Sequence, residues 1–203
     1  MKPLRSNLAR FQSLIALALM VVVLTVATDN FLTVDNGLNV LRQISINLCL
    51  SLGMTLVILS GGIDLSVGSI LGFSGAVAAG LLKNGLPLAG ANVLLQFTPL
   101  GAIVAGLLVG LVLGGANGLI ITRLQLPPFV ATLGMLSVAR GFTQLWTGGS
   151  TINTLGETFK YIGNGYALGV PMPVWISVVL TLLVLGLARR TPLGRHIYAV
   201  GGN

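Results

Sequence analysis

Two ionisable side chains stand inside otherwise apolar stretches and are the first candidates for chemistry. Asp64 follows the Gly61-Gly62 pair, and Arg140 lies in a run that has no other charge. A charge at the middle of a bilayer costs about 2.5–3.5 kcal/mol on insertion scales, so an apolar chain needs a reason to keep one. A carboxylate beside a helix break braces the break or serves as a cation or proton site.

The motif around Asp64 has two compatible interpretations. Asp is a favoured N-cap, so Asp64 is expected to cap a helix that begins at Leu65. The alternative is a flexible break whose exposed backbone and carboxylate line a cavity, because non-helical backbone at membrane depth is tolerated only there. The candidate helix-break residues are Gly61, Gly62, Asp64, Ser66 and Gly68.

Composition sets the class of protein. Of 203 residues, 54% are hydrophobic and 7% are charged, whereas a soluble domain carries about 25% charged residues. Charge-free stretches long enough for spans of roughly 17–25 residues predict one all-α domain over residues 1–203, a polytopic transmembrane bundle of about six helices. The expected spans, of which the third and fifth are short, are Phe11–Thr28, Ile44–Ser60, Gly68–Leu82, Pro99–Ile121, Pro128–Trp146 and Met172–Ala188.

The basic residues predict that both termini are cytoplasmic, because cytoplasmic loops are enriched in Lys and Arg. This orientation leaves three basic residues outside, namely Arg42, Lys83 and Lys160. It places seven inside: Lys2, Arg5, Arg10, Arg123, Arg189, Arg190 and Arg195. The net charge of +7 is therefore interpreted as a topology signal, and nucleic acid is not expected as a partner.

Small residues recur every four positions in two of the expected spans. Such rows form a stripe on one helix face and allow close packing of helices in lipid. The stripes are Gly68, Gly72, Ala76 and Gly80 in one span, and Gly106, Gly110, Gly114 and Gly118 in the other.

Four polar residues within the spans are candidates for the transport pathway or the bundle interior: Asn117, Thr132, Ser137 and Arg140. The hydroxyls of Thr132 and Ser137 are equally accounted for by bonds to the local backbone. Arg140 precedes Trp146, an expected interface anchor, by six residues. Its guanidinium either snorkels towards the membrane surface or finds a partner or polar cavity inside the bundle.

Enzymatic signatures are absent from the sequence. It has no G-x-x-x-x-G-K-[ST] phosphate loop, so ATP hydrolysis is not expected in this chain. His196 and Cys49 are the only residues of their types, and neither has neighbouring residues that would complete a metal site. No catalytic residue, metal or cofactor is predicted.

Three strings in order make a resemblance specific: LSGGIDLSVGS at Leu59–Ser69, PPFVATLGMLSVARG at Pro127–Gly141 and TPLGRHIYAVGGN at Thr191–Asn203. Together they resemble the permease subunits of bacterial ABC importers for monosaccharides. The ribose type is the most similar, and the branched-chain amino-acid permeases are more distant relatives. The resemblance runs from about Phe31 to the last residue.

The resemblance implies a multi-pass protein of the bacterial inner (plasma) membrane that forms the pathway for a monosaccharide. The implied partners are a second permease subunit (an identical copy or a paralogue), a cytoplasmic ABC ATPase and an extracytoplasmic sugar-binding protein. The segment expected to face the ATPase holds Gly194, Arg195, Gly201, Gly202 and Asn203. Family members continue into a short cytoplasmic helix and further spans, so this chain is expected to represent about the first two-thirds of one and to end in a loop.

Three function classes remain open from the residues. The first is an ATP-driven sugar importer subunit that performs no chemistry itself. The second is an ion-coupled secondary transporter in which Asp64 is the cation or proton site. The third is a purely structural membrane subunit whose small-residue stripes hold other proteins.

Overall fold

A computed structural model describes residues 11–88 and 93–202 as helices joined by short connections. The N-terminal basic residues Lys2, Arg5 and Arg10, as well as Asn203, lie outside the described residues. The helices are α1 (Gln12–Ala27), α2 (Val34–Leu59), α3 (Val67–Asn84), α4 (Pro99–Leu124), α5 (Pro128–Thr147), α6 (Glu157–Asn164), α7 (Met172–Arg190) and α8 (Pro192–Gly201).

Four of the described helices, α2, α3, α4 and α7, are long and apolar enough to cross a membrane. Helix α1 is apolar but has only 16 residues. Helix α5 has 20 residues but falls outside the apolar set, because Arg140 and Gln144 lie within it. A polytopic helical membrane protein is therefore confirmed, whereas the six-span count and the orientation stay predictions. The second helix begins at Val34, ten residues before the predicted start.

Two short antiparallel hairpins lie in the connections, so the all-α prediction missed a minor feature. Strands β1 (Leu86–Leu88) and β2 (Val93–Leu95) form the first, and β3 (Tyr166–Ala167) and β4 (Val170–Pro171) form the second. The second hairpin turns through Leu168 and Gly169, both with positive φ (54° and 75°). Two-residue turns with positive φ suit the twist of a hairpin, but a leucine in one hides the usual sequence signal.

The chain divides into two compact units between residues 44 and 45. In the first, the turn that leads into α2 is held by side chains: the Asn36 amide donates to the Phe31 carbonyl (2.8 Å), and the Thr33 hydroxyl donates to the Asn30 carbonyl (2.8 Å). The second unit contains the remainder of α2 and all later elements.

Prolines begin several helices of the second unit, as predicted for Pro128. Pro99, Pro128 and Pro192 each occupy the first helical turn, where the missing N–H of proline would have no helical partner. Thr98 and Thr191 also cap their helices, each accepting a bond of 3.2 Å from the N–H three residues later.

Helices α3 and α5 run parallel in a constant register. The Thr132 hydroxyl lies 3.3 Å from the Ile63 carbonyl just before α3, and the rings of Phe73 and Phe142 are 5.7 Å apart. The Trp146 indole N–H donates to the Ala76 carbonyl (3.0 Å). Each contact joins positions 69 or 70 residues apart. Trp146 therefore bonds to a neighbouring helix, which was not foreseen when it was interpreted as an interface anchor.

Helices α3 and α4 are antiparallel and approach most closely at Gly106. A Cβ atom at Gly106 would lie 2.8 Å from the Ser74 carbonyl oxygen and 3.2 Å from the Cβ of Ala78. A Cβ atom at Gly110 would likewise lie 3.3 Å from the Ser74 hydroxyl oxygen. Glycine is required at the crossing because any side chain there would separate the two backbones.

The C-terminal segment contains a short helix that the sequence analysis did not predict. Helix α8 follows α7 after a break at Thr191, whose backbone is extended. A Cβ at Gly194 would overlap the Ala188 carbonyl, and one at Gly201 would overlap the Leu59 carbonyl at the end of α2. Two glycines thus let α8 fold back on the ends of α7 and α2, a tertiary constraint that local sequence does not reveal.

We predict that Gly106→Leu weakens the packing of α3 on α4. Its side chain meets the Ser74 backbone, and such overpacking costs about 1–3 kcal/mol. Gly118→Leu in the same helix is the matched control, because a Cβ there meets no atom within 4 Å. Unfolding of the detergent-solubilised protein by increasing dodecyl sulfate measures the difference. Equal midpoints for the two variants would contradict the close approach.

Candidate functional site

The Gly61-Gly62 pair ends helix α2 with a complete C-terminal cap. The N–H of Gly62 donates to the Val57 carbonyl (3.0 Å), and the N–H of Gly61 donates to the Ile58 carbonyl (2.9 Å). Gly61 has φ +78°. These are the two bonds of a Schellman motif with glycine at its left-handed position, and they satisfy carbonyls that the helix end would otherwise leave unpaired.

Asp64 braces the turn into α3 but does not cap the helix directly, so the predicted cap at Leu65 was wrong. The helix begins at Val67 with Ser66 as its N-cap. The Asp64 Oδ1 atom accepts from the Ser66 N–H (2.8 Å) and from the Ser66 hydroxyl (2.5 Å). This is the local side-chain-to-backbone turn that Asp favours. Among the described residues, Asp64 forms no ion pair.

The turn is joined to α4 through a buried hydrogen bond. The Asn117 amide nitrogen donates to the Ser66 hydroxyl oxygen at 2.9 Å. Ser66 is fully buried and Asn117 is 4% exposed. The serine hydroxyl therefore accepts from α4 and donates to Asp64, which links a carboxylate and an amide through one oxygen.

Thr132 brings α5 to the same place. Its hydroxyl lies 2.8 Å from the Pro128 carbonyl in its own helix and 3.3 Å from the Ile63 carbonyl in the turn. A hydroxyl has a single hydrogen, so the local bond is the stronger of the two. We refer to Asp64, Ser66, Asn117 and Thr132 as the polar junction.

One acceptor of the polar junction has no partner. The Asn117 Oδ1 atom is buried and makes no hydrogen bond with a described residue. The Ser74 hydroxyl on α3 is likewise buried without a bond in the described part of the chain. Unsatisfied buried polar atoms cost about 1–3 kcal/mol each, so these two are places where a water molecule or another polar group would be stabilised.

A groove of about 520 Å³ runs between α3 and α4 from Asp64 to Ser74. Its floor is made by the stripe of Gly106, Gly110 and Gly114. Asp64 is half-buried there, so its carboxylate contributes negative charge to an otherwise mainly apolar surface.

The predicted site residues thus separate into groups. Asn117 and Thr132 are buried in the polar junction, whereas Ser137 and Arg140 are exposed on α5. Within the small-residue stripes, a Cβ at Gly80 would collide with the Trp146 indole. A Cβ at Gly106 or Gly110 would contact Ser74. At Gly68, Gly72, Gly114 and Gly118 a Cβ would meet no atom within 4 Å.

Sequence reasoning missed Gln144 and Ser74. Gln144 is exposed on α5 and follows Ser137 and Arg140 at spacings of seven and four residues, which places all three on one helix face. That spacing was a usable signal. Ser74 gave none, because its importance comes from its position opposite Gly106 and Gly110.

Sequence comparison places this chain among transport permeases. Residues 36–203 match the family described as branched-chain amino acid transport system / permease component. The chain is 39% identical over 196 residues to the ribose import permease protein RbsC of Haemophilus influenzae, covering 95% of this chain and 57% of that protein. It is 43% identical over 192 residues to RbsC of Bacillus subtilis, covering 93% and 56%.

A relative named for another sugar matches as well. The chain is 36% identical over 216 residues to the fructose import permease protein FruF of Bifidobacterium longum, covering 100% of this chain and 57% of that protein. The chain thus spans about 57% of the length of such relatives. No solved structure gives a significant match.

We predict that Ser66→Ala destabilises the polar junction. The change removes one bond from Asp64 and leaves the buried Asn117 amide without its acceptor, which should cost about 1–3 kcal/mol. Ser51→Ala is the matched control, because the Ser51 hydroxyl is exposed and bonds only to the Asn47 carbonyl of its own helix. Unfolding midpoints in detergent compare the two. Equal stabilities would show that the junction contributes nothing.

Proposed function

The chain belongs to the family of branched-chain amino acid transport system permease components, and on that premise we propose that it forms part of the membrane pathway of an ATP-driven monosaccharide importer. The observation that carries the proposal is the identity of 39–43% to ribose import permeases over nearly the whole chain. Ribose is the first sugar to test, and fructose is the second because FruF is also similar.

In this proposal the chain moves sugar without performing chemistry on it. Energy comes from a separate cytoplasmic ABC ATPase, and an extracytoplasmic binding protein delivers the sugar. A second permease subunit, identical or paralogous, completes the pathway in the bacterial inner membrane. The charge bias supports cytoplasmic termini, because Arg189 and Arg190 end α7 and Arg195 lies in α8.

Helix α8 is the proposed docking surface for the ATPase. Its two close approaches, at Gly194 to α7 and at Gly201 to α2, connect it to the ends of two membrane helices. A force on α8 would therefore be transmitted directly to Leu59, which is immediately followed by the Schellman cap and the turn at Asp64. This connection is a physical route from ATP hydrolysis to the groove between α3 and α4.

The ion-coupled alternative assigns Asp64 to a cation or proton. The observation in its favour is that a half-buried carboxylate lines the groove. Against it, Asp64 Oδ1 is already occupied by both donors of Ser66, which is a bracing arrangement. The bonding pattern therefore favours the importer.

We predict that Gly201→Leu in the full-length protein reduces the amount of ATPase that co-purifies. The added side chain must displace α8 from the Leu59 carbonyl. The control is Gly186→Leu in α7, where a Cβ meets no atom within 4 Å. The ratio of ATPase to permease after affinity purification should fall several-fold for the first variant only. Equal ratios would refute the docking surface, and failure of the unmodified protein to retain any ATPase would refute the importer itself.

A further inference from the structure

Helix α5 has a polar face directly opposite its packing face. Its buried residues, which contact α3 or α4, recur at helical spacing: Ala131, Thr132, Met135 and Ala139. Ser137, Arg140 and Gln144 are exposed and lie on the far side of the helix, since successive residues rotate by 100°. Among the described residues, Arg140 has no ion pair.

The register of the bundle places Arg140 at mid-height. The constant offset of 69–70 residues between α3 and α5 makes Arg140 level with Ile70. Ile70 lies halfway between Ser66, which contacts Asn117, and Ser74, which faces Gly110. Arg140 is therefore within about 3 Å of the midpoint of α4, a helix about 39 Å long at 1.5 Å per residue.

A charge at that height cannot face lipid. The hydrocarbon core is about 30 Å thick, so the midpoint of a spanning α4 is about 15 Å from either surface. An arginine side chain is too short to snorkel over that distance, and exposure of its charge to hydrocarbon is costly. Water, or a polar or acidic group of another segment, must therefore cover this face of α5.

The acidic residues of the second unit do not supply a carboxylate at this height, either from the same chain or from a second copy. They are Asp64 and Glu157, and Glu157 lies beside Pro99 at the start of α4. Ile63 is level with Thr132, so Asp64 is about seven residues, or about 10 Å, from Arg140 along the axis. A symmetry axis along the membrane normal preserves this offset, because both copies keep their depth. The described part of the second unit therefore holds no carboxylate level with Arg140.

We propose that the face of α5 formed by Ser137, Arg140 and Gln144 lines the aqueous sugar pathway and hydrogen-bonds the hydroxyl groups of the sugar as it passes. This inference rests on the proposed function. The three side chains suit a neutral polyol: the guanidinium offers five donors, and the hydroxyl and the amide both donate and accept. Ser137 bonds only weakly to its own helix, at 3.5 Å from the Leu133 carbonyl, so its hydroxyl is available.

Cysteine accessibility in the full-length protein, assembled with its ATPase and binding protein, tests the face. In a full-length background from which Cys49 and any other cysteine have been removed, Ser137→Cys and Gln144→Cys should react with a charged methanethiosulfonate, because water favours the reactive thiolate. Leu111→Cys at the middle of α4 is the control, since Leu111 is 70% exposed on a fully apolar surface. It should not react. D-ribose, added with binding protein and ATP, should slow modification at positions 137 and 144.

Arg140 variants supply a second readout. Arg140→Leu should lower ribose uptake about tenfold or more, the effect of losing a hydrogen bond from a charged donor, while Arg140→Lys should retain most of it. Unreactive cysteines at 137 and 144 in a protein that still imports ribose would overturn the inference and leave the importer intact. Reaction that ribose does not slow would also overturn it. Absence of ATP-dependent ribose uptake by the unmodified protein would instead refute the proposed importer function.

Discussion

Buried polar groups need hydrogen-bond partners, and the connection between α2 and α3 depends on this constraint. The Schellman cap at Gly61 satisfies the end of α2, and the Asp64 carboxylate satisfies the Ser66 N–H at the start of α3. Asn117 then reaches the same serine hydroxyl from α4. The non-helical turn is thereby hydrogen-bonded to the end of α2, the start of α3 and the middle of α4.

The position of α3 follows from that anchorage. Its start is fixed by the polar junction, its middle approaches α4 at Gly106, and its later turns receive the Trp146 indole beside Gly80. Glycine stripes thus act at selected positions, where a backbone or an aromatic ring comes close. The open positions of the same stripes, such as Gly72 and Gly114, leave a surface that other helices can use.

Much of the architecture could be predicted from local signals. Proline marked the starts of α4 and α5, and the apolar runs predicted the membrane helices to within a few residues at most ends. Features that depend on tertiary contacts could not be predicted. Asp64 acts two residues before the N-cap, because Ser66 is drawn to Asn117, which is 51 residues away in the sequence. Helix α8 was not predicted, because its two glycines are required by backbone contacts with other helices.

The structure separates the four polar candidate residues of the helices into two groups that the sequence did not distinguish. Asn117, Thr132, Ser137 and Arg140 look alike in the sequence, as isolated polar side chains in apolar runs. In the structure the first two close the polar junction, and the last two lie on the opposite face of α5. One group joins the turn to two helices, and the other is exposed on a helix that is less apolar than α2, α3, α4 and α7.

The central claim is that this chain is a passive pathway in an ATP-driven sugar importer, in which Asp64 braces a turn and carries no ion. The most direct measurement is ribose uptake into proteoliposomes that contain the full-length protein or its Asp64→Asn variant, with the ATPase and binding protein. Asparagine keeps an acceptor for the Ser66 N–H, so the account predicts that both proteins import ribose with ATP and are insensitive to a protonophore. Uptake that runs on a proton gradient without ATP, and that Asp64→Asn abolishes while the protein stays folded, would contradict it.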